Sequence, residues 1–128
     1  MSELKNVTIQ AKQVTGRKVY LNLDIADLSA DANYYVICPV DGVISRIDSV
    51  IDGAVSTADV TITPSIGGTN ITGGVVTIAY SGSAAGDLDY ALPTTGNVIA
   101  AGAAIKFAVA GGGAGGSPRG HLVITVDI

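Results

Sequence analysis

His121 is the only histidine of this chain and Cys38 the only cysteine, and ten aspartates with Glu3 complete the groups able to act as base, nucleophile or ligand. Hydrolysis by an activated serine needs a base, a group that orients it and donors for an oxyanion. Ser117 and several Asp residues could partner His121, but no nucleophile turn or oxyanion pattern accompanies them, so His121 is expected in a loop or at a strand edge. One His and one Cys far apart in sequence leave no His-based metal site. Asp48, Asp52 and Asp59 lie near one another in sequence, as do Asp87 and Asp89. Oxygen ligands of this kind suit calcium, yet the spacing matches no EF-hand or calcium repeat. Solubilising surface carboxylates are the simpler reading.

Gly111-Gly112-Gly113-Ala114-Gly115-Gly116 contains the letters G-x-G-x-x-G. A dinucleotide site needs a helix directly after that turn, because the helix N-terminus holds the pyrophosphate. Ser117-Pro118-Arg119-Gly120 and a strand-like run follow instead, so the match is a by-product of a glycine-rich loop over residues 110–120. Cys38 ends the apolar run Tyr34-Tyr35-Val36-Ile37-Cys38 and is expected to be a buried, inert thiol. No cofactor is implied and no enzyme is indicated.

The five tyrosines, Tyr20, Tyr34, Tyr35, Tyr80 and Tyr90, are the remaining groups suited to recognition. Tyr favours places with one end buried and the other wet. Tyr34 and Tyr35 must point to opposite faces of a strand, so only one of them can join a given platform. Tyr34, Tyr35 and Tyr90 are assigned to an oligomer interface, with a sugar-stacking platform as the alternative. Asn6-Val7-Thr8 and Asn70-Ile71-Thr72 fit the glycosylation sequon and are read as ordinary strand and turn sequence.

These residues are carried by short β-branched runs separated by glycine turns, which makes the chain all-β. Val60 to Ile66, Gly67-Gly68, Thr69 to Thr72, Gly73-Gly74 and Val75 to Tyr80 show the pattern most clearly. Val19, Leu21, Leu23 and Ile25 alternate with polar neighbours, as do Leu122, Ile124, Val126 and Ile128, so each run buries one face. Asn33 to Cys38 is apolar throughout and reads as a central strand covered on both faces. Residues 43–51 place Val43, Ile47 and Ile51 on one face with Ser45 and Ser49. The same spacing fits a helix, and the strand reading is preferred because Gly42 and Gly53 bound it. Residues 27–33 read as a polar connection with one helical turn, and Gly102 as a bulge or kink. A first strand is expected over Asn6–Gln10. About eight or nine short strands at this spacing predict an antiparallel β-sandwich or jelly roll. An N-terminal arm over residues 1–15 precedes a sandwich over residues 16–128.

The 128 residues suffice for one domain with its own core. Aromatics are only 5% and charged residues 14%, so the core is aliphatic and much of the surface is Ser, Thr, Gly and Asn. Such a surface suits a protein that hides area in an assembly. Residues 1–18 carry Lys5, Lys12, Arg17 and Lys18 against Glu3, a balance of +3 within a total of −4. The acidic remainder argues against nucleic-acid binding, which needs a basic face. No signal peptide or transmembrane helix is read, since Glu3 and Lys5 interrupt the N-terminus and Lys106 breaks the longest apolar stretch. A basic segment on an acidic body suits docking on an acidic partner.

From about Asp24 onward the chain resembles small tailed-phage proteins that look like jelly-roll head decoration, or cement, proteins. The likeness is carried by residues 35–42 (YVICPVDG), by residues 49–54 (SVIDGA) with Thr57-Ala58-Asp59, by Gly67-Gly68-Thr69 and Ile71-Thr72-Gly73-Gly74, and by residues 81–87 (SGSAAGD). It implies a homotrimer on the outer capsid surface of a virion, made in the host cytoplasm and clamping neighbouring copies of a major capsid protein. It brings no catalytic signature. Lys5, Lys12, Arg17 and Lys18 are the capsid contacts expected on this view. The alternative is a carbohydrate-binding or host-adhesion sandwich, a head-fibre or tail-fibre domain whose partner is a surface glycan.

Overall fold

The computed structural model describes residues 17–112 and 116–128. The expected strand at 6–10, Lys5, Lys12 and the centre of the glycine run lie outside the described residues. Ten strands follow in chain order: β1 (Lys18–Ile25), β2 (Ala32–Ile37), β3 (Gly42–Ile51), β4 (Val60–Ile66), β5 (Thr69–Asn70), β6 (Val76–Ile78), β7 (Leu88–Ala91), β8 (Val98–Ile99), β9 (Ala104–Ala110) and β10 (Gly120–Asp127). Sheet one has the order β1-β10-β3-β7, with β8 also on β3. Sheet two has the order β2-β9-β4-β5, with β6 also on β4. Every pairing is antiparallel. The result is the expected β-sandwich.

Alternation closes the core. Leu122, Ile124 and Val126 on β10 meet Ile44, Ile47 and Ile51 on β3, and Ile105, Phe107 and Val109 on β9 close over them from sheet two. Removing such side chains from water is the main stabilising term, roughly 25 cal/mol per Å² of apolar area. Phe107 is the only phenylalanine and is fully buried.

Four expectations need correction. β2 is an edge strand rather than a central one, pairing with β9 alone. Its outward side chains Tyr35 and Ile37 are 61% and 66% exposed. The apolar run reflects an uncovered outer face, not a second buried one. On β3 the buried residues are Ile44, Ile47, Ser49 and Ile51, while Val43 is exposed. Thr125 faces Arg46 but Val126 faces Ile44, so Ser45 is an inserted residue. A β-bulge of this kind reverses the in–out parity on either side of it.

Residues 27–31 form a turn without a helical segment, held by the Ser29 N–H donating to Asp27 Oδ1 at 2.8 Å. Gly102 sits in a tight turn at φ 85°, where the Ala103 N–H donates to the Ala100 carbonyl at 3.0 Å. Gly67 and Gly68, at φ 58° and 85°, make the two-residue hairpin between β4 and β5. Two successive positive φ angles are what such a hairpin demands.

Candidate functional site

The two outer faces of the sandwich differ in chemistry. On sheet one, outward positions carry Lys18, Asp24, Arg46, Asp48, His121 and Asp127. The three ion pairs found among the described residues all lie there: Lys18 Nζ to Asp127 Oδ1 at 2.6 Å, Arg46 Nε to Asp48 Oδ1 at 2.8 Å, and His121 Nδ1 to Asp24 Oδ1 at 2.6 Å. Lys18 is raised above its ordinary pKa and Asp127 is lowered, each mainly through their shared hydrogen bond. Both are well exposed, so solvent screens the pair and its net effect on stability is small.

His121 therefore finds an orienting carboxylate, but its partner is Asp24, directly across the β1–β10 ladder, and not Ser117. The other ring nitrogen, Nε2, lies 3.1 Å from Asn22 Oδ1. Neither nitrogen has a hydroxyl placed as a nucleophile. The depression beside it, about 500 Å³, is bounded by Asp24, Asp52, Arg119 and His121. Its polar groups answer one another: the Arg119 N–H donates to Asp52 Oδ1 at 2.7 Å, and the Asp52 N–H to the Arg119 carbonyl at 3.0 Å. The pocket sits at a strand end, and no Ser, Thr or Cys lines it. Cys38 is fully buried, with its thiol donating to the Val40 carbonyl at 3.2 Å. Among the described residues no three of His, Cys, Asp and Glu gather as a metal site, and no helix is long and apolar enough to cross a membrane.

Sheet two presents a different surface. Its ladders set out four rows: Ile37 with Ala104; Tyr35, Lys106, Ser65 and Asn70; Asn33, Ala108 and Thr63; Ala110, Thr61 and Thr77. No row contains an acid, and Lys106 is the only charge. Lys106 has no ion-pair or hydrogen-bond partner among the described residues. Ser65 is 3% exposed, and its hydroxyl is buried without a partner among the described groups. Both border a depression of about 440 Å³ walled by Tyr35, Ile66 and the Gly67-Gly68 turn. Leaving a buried hydroxyl unpaired costs on the order of 1–3 kcal/mol.

The tyrosines assigned to an interface do not form one cluster. Tyr34 is half-buried and points inward against the core. Tyr35 stands on the outer face of sheet two. Tyr90 lies on β7 of sheet one, 58% exposed, with the Arg46 guanidinium 4.2 Å from its ring centre. Of the basic residues assigned to contact, Arg17 is exposed and Lys18 is tied to Asp127. Sequence reasoning missed Lys106, Ser65, Ala108 and Thr63 as one surface. Their common parity on β4 and β9 was a usable signal, but the pairing of those strands was not.

Asp87 and Asp89 do not share a ligand geometry. The Asp87 carboxylate accepts from the Ala84 N–H at 2.8 Å, while Asp89 shares the inward parity of Ala91. Burial, and secondarily the charge of Asp87, pushes the Asp89 pKa up. The folded state thus holds this proton more tightly than the unfolded chain does. The penalty is absent at low pH and appears in full as pH rises through the folded pKa. Asp87→Asn is expected to lower the Asp89 midpoint while leaving it above the ordinary carboxyl value, because burial is the larger cause. A carboxyl-carbon NMR titration of both forms reads this directly, and an unmoved midpoint would show that the two charges do not interact.

No protein-family model matches the sequence, and a search of curated proteins finds no match. Solved structures do share the fold. A chain of the acid-stable capsid of Helicobacter pylori bacteriophage KHP30 aligns with a TM-score of 0.51 at 8% identity, over 89% of this chain and 90% of that one. The SPBc2 prophage-derived protein YomS aligns with a TM-score of 0.50 at 7% identity, over 85% and 95%. A chain of the cyanophage Pam1 capsid asymmetric unit follows at 0.48 and 15%, over 88% and 84%. A carbohydrate-binding module also falls below 0.5, and matches in that range carry no argument. At these identities the likeness establishes the sandwich fold.

Proposed function

We propose that this chain is a non-enzymatic structural protein of a phage virion, which decorates the outer surface of the head as a trimer and stabilises it. The observation that supports this most is the fold shared with a chain of the KHP30 capsid over nine-tenths of both lengths. A fold hosts many functions, so the site chemistry matters as much. The described residues offer no assembled catalytic group, and one whole sheet face is small, flat and almost uncharged. A rigid trimer across a junction between capsid subunits favours the assembled state by mass action, and three weak feet give avidity beyond any one contact. The partner is the major capsid protein. The arm of residues 1–15, with Lys5 and Lys12, continues into Arg17 and Lys18 and supplies a basic foot on an acidic body.

Deleting residues 1–12 is expected to leave the native mass at three times that of the shortened chain and to lower retention on expanded capsids by roughly tenfold. Light scattering and capsid co-sedimentation measure the two. Equal retention of both forms removes the arm from the contact. Failure of the full chain to bind any expanded capsid removes the decoration reading itself.

The glycan-binding alternative is favoured by one feature, the exposed Tyr35 ring beside the depression on sheet two. A glycan array in which signal is lost with Tyr35→Ala would support it, and an array without signal would end it.

A further inference from the structure

We infer that the outer face of sheet two is where one copy of this chain meets another. The inference rests on the trimeric reading above and names the surface that reading leaves open.

Electrostatics selects the face. The described residues carry ten aspartates against Arg17, Lys18, Arg46, Lys106 and Arg119, so two copies repel unless they meet where carboxylates are absent. Like charges brought together and desolvated cost several kcal/mol. Sheet one carries Asp24, Asp48 and Asp127 over its outer positions, so a copy meeting it there would have to desolvate three ion pairs. The rows of sheet two contain no acid at all.

Shape agrees with charge. Ala104, Ala108, Ala110, Thr61, Thr63 and Thr77 are short, so a second protein surface can approach the backbone closely. Flat sheet faces pack about 10 Å apart when their side chains are small enough to interdigitate. Tyr35 and Ile37 stand at the β2 margin of the face, both more than half exposed. They are the kind of apolar anchors that fill a neighbour's hollow and carry contact energy. The depression of about 440 Å³ in the same row is such a hollow.

The row Tyr35, Lys106, Ser65 also carries hydrogen-bonding groups. Lys106 brings donors only, whereas the Ser65 and Tyr35 hydroxyls can accept. Within one copy the ammonium and the Ser65 hydroxyl both stay unpartnered. The ammonium is open to an acceptor from a second copy, whereas the Ser65 hydroxyl is sealed within its own copy. A charged partner of unrelated shape would have to match a single cation set in an otherwise neutral field.

The test is a charge placed at the centre of the face. Ala108→Asp, between Asn33 and Thr63, is expected to reduce the native mass threefold, to that of one copy, with the circular dichroism spectrum unchanged. Asn22→Asp on the outer face of sheet one is expected to keep the full mass. Hydroxyl-radical footprinting of the unmodified protein gives a readout independent of variant folding. Oxidation of Tyr35 should rise as the protein is diluted into its monomer range, while that of Tyr20 on sheet one stays constant. An oligomer that survives Ala108→Asp, or Tyr35 oxidation indifferent to concentration, overturns the inference. If that happens while capsids still bind the protein, only the assigned face is wrong. If the unmodified protein is a monomer that binds no capsid, the decoration reading has failed as well.

Discussion

Phe107→Ala is expected to destabilise the fold by about 3–5 kcal/mol, the largest loss available from any single core truncation here. Phe107 is fully buried on β9, and β9 is held on both sides, by β2 through Tyr34 and by β4 through Pro64. A central strand with two ladders cannot slide inward to fill the space. The surrounding core is nearly all Ile, Leu and Val, and the β-branched Ile and Val among them are stiff and close a cavity poorly. Domains of this size are stable by roughly 5–15 kcal/mol, so the variant keeps at most a modest margin. Its melting temperature should fall by on the order of 10–20 °C. Phe107→Leu retains most of the volume and should cost no more than about 1.5 kcal/mol. Urea unfolding at equal protein concentration compares the two. If Phe107→Ala costs under about 1 kcal/mol, the sheets repack freely and the core is not the rigid element described here.

The strands differ in how far the sequence shows their facing. Alternation on β1 and β10 made their inward faces legible, because both strands turn alternate residues to the core, with Thr125 an added buried residue on the outer parity of β10. β3 was legible as a strand but not in its facing. The extra residue at Ser45 shifts parity without leaving any mark in composition. β2 was misjudged for a different reason. An apolar residue on an uncovered face looks, in one dimension, like an apolar residue on a covered one, and Tyr35 and Ile37 are of that kind.

Pairings between distant residues were beyond reach. His121 meets Asp24 across 97 positions, and the surface of sheet two joins residues of β2, β4, β5, β6 and β9. In sequence Lys106 only interrupts a run of Ala and Gly. In the fold it is the single charge on a neutral plane.

Glycine turns were the most legible feature, yet they are not equivalent, and a paired substitution should separate two kinds. Gly67 (φ 58°) and Gly111 (φ 91°) both use the left-handed region, which costs a residue with a side chain roughly 1–2 kcal/mol. At Gly67 a Cβ would meet nothing within 4 Å. At Gly111 it would fall 2.6 Å from the Asp59 carbonyl oxygen, a backbone atom that cannot turn aside. Gly111 also donates its N–H to Asp31 Oδ1 at 3.2 Å, so displacing it loosens the turn after β1 as well. Gly67→Ala is therefore expected to cost about 1 kcal/mol, the strain alone. Gly111→Ala adds a steric term of about 1–3 kcal/mol, for a total near 3 kcal/mol. Thermal melts of the two variants measure the difference. Equal losses would mean that the exit of β9 yields. Unequal losses would make Gly111 a fixed corner, where close approach to the segment leading into β4 demands glycine before the chain continues toward β10.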